Sequence, residues 1–271
     1  MAVLDRLGFG CVALTTLASP RASRDLLEGV FEAGLRHFDT APVYGQGYSE
    51  RLLGEFLRGK RDQVSVATKF GLAPGRAPRL PVGVAMGLNA LRRLARRSPA
   101  PPSNDAPSPP TMEATPSRRI GRAELQVAFD SSRRSLGTDY IDLYLLHEHL
   151  PSSLEPAALD FLLELRASGR VAKLGVAANG SRYLGLTPAD VADWDILQYE
   201  FGPGWPAHAG LPDLFPEKTH IFHSCLKGVA GTGQAPGQVL ARCLSANPSG
   251  RVLFSSTRLA HVRDNLQVLG A

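Results

Sequence analysis

A carboxylate, a phenol, an ammonium and an imidazole each fall where a short apolar run gives out: Asp39, Tyr44, Lys69 and His147. Asp39 closes "LRHFDTA", and Tyr44 follows in the glycine-rich turn "APVYGQG". Lys69 ends "VSVATK", and His147 ends "YIDLYLLH". A phenol with an ordinary pKa near about 10 is a weak acid at neutral pH. An ammonium beside it favours the phenolate and brings that pKa toward working range. A buried ammonium needs a counter-charge, which Asp39 can supply. An imidazole can hold a carbonyl oxygen in the path of a hydride. The chemistry therefore reads as Tyr44 the proton donor, Lys69 its tuner, Asp39 the anchor of Lys69, and His147 the orienter of a substrate. Singly, each has a plainer reading: a turn-forming Asp, a surface Tyr, a charged strand end, a structural His.

What must position them is an alternation of short and long elements. The strand candidates are "RLGFGC", "LRHFDTA", "QVSVATKFG", "YIDLYLLHE", "AKLGVAAN", "DILQYEFG", "HIFHSC" and "RVLFSS". Between them lie stretches with apolar residues at i, i+3 and i+4, such as "SRDLLEGVFEAG" and "EPAALDFLLELRASG". Gly34 and Gly169 stand where such helices should stop. Eight strands, each followed by a helical stretch, predict a single-domain (β/α)8 TIM barrel over residues 1–271. In that fold function belongs to the C-terminal strand ends, where all four candidates fall on neighbouring strands. An open doubly wound sheet is the competing fold, but "GFGCVA" only half resembles its glycine-rich turn.

One segment breaks the rhythm. Residues 73–119 hold close to half of the 21 prolines and a cluster of arginines, and read as a flexible insertion after the third strand. Within it "AMGLNALRRLARR" suits a short basic amphipathic helix, with Leu88, Leu91 and Leu94 on one stripe. It reads as a solvated flap over the barrel mouth, or as a contact for a membrane surface or an acidic partner. The net charge is only +5, and no aromatic residues interleave the insertion's arginines, which argues against nucleic acid. No run approaches the ~18 apolar residues of a membrane span. Cys11, Cys225 and Cys243 are too few and too scattered for a disulfide framework. A cytoplasmic protein is expected, with no metal site and monomeric by default.

The motifs "GLRHFDTAPVYGQGYSERLLGEFL", "VSVATKFG", "SRRSLGTDYIDLYLLH" and "ASGRVAKLGVAANG" together resemble the aldo-keto reductase superfamily along nearly the whole chain. The resemblance implies that Asp39, Tyr44, Lys69 and His147 form a catalytic tetrad. It also implies an extended nicotinamide cofactor, NADPH, across the barrel mouth. Asn179 and Gln198 would then hold the carboxamide, His223 would lie against the ring, Arg258 and Ser256 would bind the 2′-phosphate, and Asn265 would contact the adenine. The implied activity is reduction of a small carbonyl compound or its reverse on an alcohol. The alternatives are a sugar 1-dehydrogenase of the same superfamily and a weakly active cofactor-binding regulatory subunit.

Four departures qualify the match. Ala178 stands where the family has serine, and His223 where it has a stacking tyrosine. The strap over the cofactor pyrophosphate, Leu226 to Gln238, is short, and the sequence ends soon after the last helix. These imply looser cofactor binding and an open mouth, suited to a bulky or acidic substrate, unless the insertion covers it. Phe70, Phe201 and Trp205 follow strand ends and either line the pocket or pack beneath loops.

Overall fold

The computed structural model describes residues 2–74, 83–84, 86–87, 119–229 and 233–271. Nearly all of the insertion, its basic stretch and its reading as a flap lie outside them. All eight expected strands form: β1 Leu7–Gly10, β2 His37–Asp39, β3 Ser65–Phe70, β4 Ile141–His147, β5 Val171–Ala177, β6 Ile196–Glu200, β7 Thr219–His223 and β8 Arg251–Phe254. They pair in parallel and in sequence order, and β1 closes on β8 to complete the barrel.

Helices follow most strands: α1 Pro20–Glu32, α2 Tyr48–Leu57, α3 Arg122–Leu136, α4 Pro156–Ala167, α5 Leu211–Leu214, α6 Pro236–Ser245 and α7 Leu259–Val268. α1 begins three residues ahead of the stretch quoted for it, with the Ser19 hydroxyl accepting from Ala22 N and Pro20 in the first turn. Gly34 and Gly169 take positive φ just beyond α1 and α4, the conformation that stops a helix. The expectation of a helix after every strand fails on one side. After β5 the chain makes only the 3-10 turns Gly180–Gly185 and Pro188–Val191, and after β6 the helix is four residues long. Gly185 and Pro188 interrupt the first of these stretches.

The strand period of two sorts the side chains. Ala67, Leu143, Leu145, Ala177, Ile196, Ile221 and Leu253 form a compact cluster inside the barrel. The alternate residues, including Phe38, Val66, Tyr144 and Phe222, join the larger core beneath the helices. Continuing the inward register toward the C-terminal ends reaches Asp39, Lys69, His147, Gln198 and His223. The same alternation that fills the barrel thus places these polar groups in its uppermost layer.

Candidate active site

Lys69 and Asp39 are the centre of that layer. Both are buried, and Lys69 Nζ donates to Asp39 Oδ1 at 2.5 Å and to the Thr40 carbonyl at 2.9 Å. The other carboxylate oxygen of Asp39 accepts from Gln198 Nε2 at 2.9 Å. Burial pulls the ammonium toward losing its proton, but Asp39 and Tyr44 more than reverse this and leave its pKa above the ordinary value. Lys69 is therefore a charged group held inside the barrel, as the sequence predicts.

Tyr44 begins the 3-10 turn Tyr44–Gly47 after β2, with Lys69 Nζ 5.1 Å from its ring centroid. His147, the last residue of β4, meets it edge to face at 6.1 Å. The turn is left-handed at Gly45, Gln46 and Gly47. A Cβ on Gly45 would sit 2.3 Å from Thr15 Cγ2, so glycine is what lets the β1 loop close against the turn.

One electrostatic expectation is corrected. Burial raises the Tyr44 pKa, and the charge and hydrogen bond of Lys69 oppose that rise without overcoming it. Tyr44 is thus a protonated phenol at neutral pH, a donor rather than a base. Burial, then Lys69, His223 and His149, push His147 well below the usual histidine range. It is a neutral imidazole, able to donate a hydrogen bond to an oxygen without carrying charge.

The remaining candidates fall in two groups. Asn179, just past β5, donates from Nδ2 to Glu200 Oε1 at 3.2 Å and accepts from Ser181 N at 3.0 Å. Glu200 also accepts from Gly180 N at 3.1 Å. His223 ends β7, with Nδ1 3.0 Å from Ser224 Oγ, and burial lowers its pKa while Glu200 and Asp39 oppose. Past β8, the Ser256 hydroxyl both donates to the Arg258 carbonyl and accepts from Arg258 N. Arg258, at the start of α7, is exposed, whereas Asn265 on the same helix is buried.

The strand-end aromatics divide. Phe70 packs against Tyr144 at 4.5 Å and Phe201 stacks on Phe222 at 3.8 Å, so both belong to the outer core. Trp205 stacks on His208 and carries Lys227 Nζ 4.7 Å over its ring.

Sequence reasoning missed Glu200 and His208. The His208 ring bonds the Glu200 carbonyl through Nδ1 at 2.7 Å and Ser181 Oγ through Nε2 at 3.1 Å. Glu200 was detectable as the next inward position after Gln198. His208 comes from a loop and left no periodic signal.

Residues 6–208 match the model of the aldo/keto reductase family. Among curated proteins, the chain is 32% identical over 191 residues to a pyridoxal 4-dehydrogenase of Microbacterium luteolum, covering 64% of this chain and 52% of that protein. It is 27% identical over 237 residues to a D-threo-aldose 1-dehydrogenase of a Pseudomonas species, covering 84% of this chain and 64% of that one. The chain thus spans between about half and two thirds of the length of these relatives. The fold also superimposes on a solved aldo-keto reductase structure from Pseudomonas aeruginosa with a TM-score of 0.68, at 19% identity over 97% of this chain and 91% of that one.

Proposed function

The chain belongs to the aldo/keto reductase family, and on that premise we propose that it is an NADPH-dependent oxidoreductase reducing an aldehyde or ketone. The observation that carries the reading is the buried Lys69 ammonium, held by Asp39 at 2.5 Å beneath Tyr44, with neutral His147 at the edge of the same ring.

The chain's own groups fit the cofactor. Gln198 Oε1 is buried with no hydrogen-bond partner among the described residues, an acceptor suited to a carboxamide NH2. Asn179 retains a second amide hydrogen beyond the one given to Glu200. His223 offers a flat neutral ring, although no ring contact holds it among the described residues. Arg258 is an exposed guanidinium that can take a phosphate through two parallel bonds, and Ser256 and Asn265 complete that end. A 2′-phosphate on Arg258 is the reason to favour NADPH over NADH.

When bound, the dihydronicotinamide supplies a hydride to the carbonyl carbon. Tyr44 gives its phenolic proton to the carbonyl oxygen. Lys69 stabilises the phenolate left behind, and Asp39 keeps Lys69 in place and charged. His147 donates a ring N–H to the same oxygen, fixing it beside Tyr44 before transfer.

A second reading, oxidation of an aldose to a lactone, draws on the D-threo-aldose 1-dehydrogenase relative, which spans 84% of this chain. It uses the same residues in reverse, and turnover of sugars with the oxidised cofactor separates the two. Among the described residues no helix is long and apolar enough to cross a membrane. The three free, buried cysteines suit a reducing compartment, so the proposal includes a cytoplasmic monomer acting on a small molecule.

The test is a fluorescence titration with NADPH and with NADH, run beside Arg258→Ala. The proposal expects tighter NADPH binding that the substitution weakens about tenfold or more, with NADH little changed. Absence of binding by either cofactor would overturn it.

A further inference from the structure

The opposite end of the barrel carries polar groups that the proposed chemistry does not use. The first inward positions of β8, β1, β2 and β3, four adjacent strands, are Arg251, Gly8, His37 and Ser65. Barrel interiors are ordinarily filled by branched apolar side chains. Here an arc of three polar residues surrounds a glycine instead. A Cβ on Gly8 would meet His37 Cδ2 at 2.6 Å and Leu253 Cδ2 at 2.5 Å, so the missing side chain makes the room that the imidazole occupies. A cavity of about 280 Å³ opens at this end, lined by Arg36, His37, Ser65 and Arg251 together with Asp5 and the apolar Leu4 and Leu7.

The donors here lack matching acceptors. His37 is 2% exposed; Nδ1 lies 3.1 Å from Ser65 Oγ, and Nε2 is buried with no hydrogen-bond partner among the described residues. In the tautomer in which the serine donates to Nδ1, the ring proton rests on Nε2 and is an unmatched donor. Burial, Arg251 and Lys69 keep the ring neutral. Arg251 gives one bond among the described residues, Nε to the Asp5 carbonyl at 3.3 Å. Arg36 bonds the Phe31 and Leu35 carbonyls through Nη1 and lies 3.9 Å over the Phe31 ring, with Nη2 giving no hydrogen bond among the described residues. Among the described residues neither guanidinium has a carboxylate in ion-pair range. The two nearby acids are engaged elsewhere: Asp5 Oδ2 accepts from Ala2 N, and Asp142 pairs with Arg61 at 2.6 Å.

We propose that this cavity at the N-terminal end of the barrel is a binding site for a phosphate-sized oxyanion, held by Arg251 and Arg36 with Ser65 and His37 beneath it. Two guanidiniums and a neutral donor match the charge and the several acceptor oxygens of a phosphate group, free or as a monoester. The site is separate from the mouth, at the other end of the strands that carry Asp39 and Lys69.

Calorimetric titration of the full chain with inorganic phosphate, at constant ionic strength set with chloride, tests it. The expected result is a saturable binding component that Arg251→Gln weakens about tenfold or more and that persists in Arg258→Ala, whatever phosphate the mouth also takes. Arg36→Gln, at an exposed position, gives a second reading that does not depend on how well the Arg251 variant folds, and a clear weakening is expected there too. A parallel titration with a sugar phosphate separates the sources: tighter binding than inorganic phosphate, equally sensitive to Arg251→Gln, identifies a monoester ligand. Loss of binding in Arg258→Ala with retention in both other variants would assign the phosphate to the mouth and overturn the proposal. So would the absence of saturable binding.

Discussion

The Lys69–Asp39 pair illustrates how a buried charge is kept charged. Asp39 supplies the opposite charge at 2.5 Å, the Thr40 carbonyl takes a second ammonium hydrogen, and Gln198 satisfies the remaining carboxylate oxygen. Removing one partner strands the other. Lys69→Met is expected to destabilise the fold by about 3–5 kcal/mol, read by denaturant unfolding, because it leaves an uncompensated carboxylate inside the barrel. Tyr44→Phe removes only the hydroxyl, and should lower turnover about 10²–10⁴-fold while cofactor affinity stays near that of the parent. The pH profile follows from the directions of the shifts. Tyr44 holds its proton past its ordinary value of 10.0, and His147 stays neutral until well below 6.5. Reduction should therefore run flat across neutral pH, falling in acid as His147 gains a proton and in strong base as Tyr44 loses its own. A rate that falls steadily between pH 7 and 9 would contradict the assignment of Tyr44 as donor.

At the scale of elements, the site depends on register and on one tight approach. Gly45→Ala forces a Cβ to 2.3 Å from Thr15 Cγ2 at a φ of 56°, so the Tyr44 turn and the β1 loop must separate. A stability loss of about 1–3 kcal/mol is expected from thermal unfolding, with turnover falling more than cofactor affinity. The strands were legible as short apolar runs between longer helical stretches, and the period of two, which sorts core from inward residues, shows in the structure. "VSVATKF" reads Val66, Thr68 and Phe70 outward and Ala67 and Lys69 inward. Helix stops were legible at Gly34 and Gly169 because positive φ favours glycine. The helices after β5 and β6 misled because scattered apolar residues mimic a helical period, which Gly185 and Pro188 cut short after β5 and Pro206 and Gly210 confine to Leu211–Leu214 after β6. Phe70 and Phe201 read ambiguously because a strand-end aromatic can face either layer, and only packing against Tyr144 and Phe222 decides. The bonds from Glu200 and His208 to the Asn179 turn escaped sequence reasoning because they join segments far apart in the chain.

For the whole molecule, several histidines are kept neutral by burial. The pKa values of His37, His147, His220 and His223 all lie below the ordinary 6.5, with desolvation the largest cause in each. Each lowered value contributes stability that is fully present above pH 6.5 and is lost as pH falls through the folded value. Glu50 and Glu148, raised mainly by burial, act in the opposite sense, gaining stability as pH falls through their folded values toward 4.5. The histidines' share of the Tm should accordingly be level above about pH 6.5 and decline below it, with Glu50 and Glu148 opposing that decline. Replacing His37 by Gln should shrink the slope of that decline, and an unchanged slope would remove His37 from the set. The polar upper layer and the polar arc beneath it flank an apolar middle, so one barrel presents two chemically separate ends. The central claim is that the upper end transfers a hydride with Tyr44 as proton donor. Its most direct test follows NADPH absorbance with an aromatic aldehyde, for the parent chain and Tyr44→Phe at equal cofactor saturation. Steady oxidation of NADPH by the parent, almost abolished in the variant, is the predicted result. Equal rates in the two proteins, or no oxidation by a parent that binds NADPH across a panel of aldehydes, ketones and sugar substrates, would contradict it.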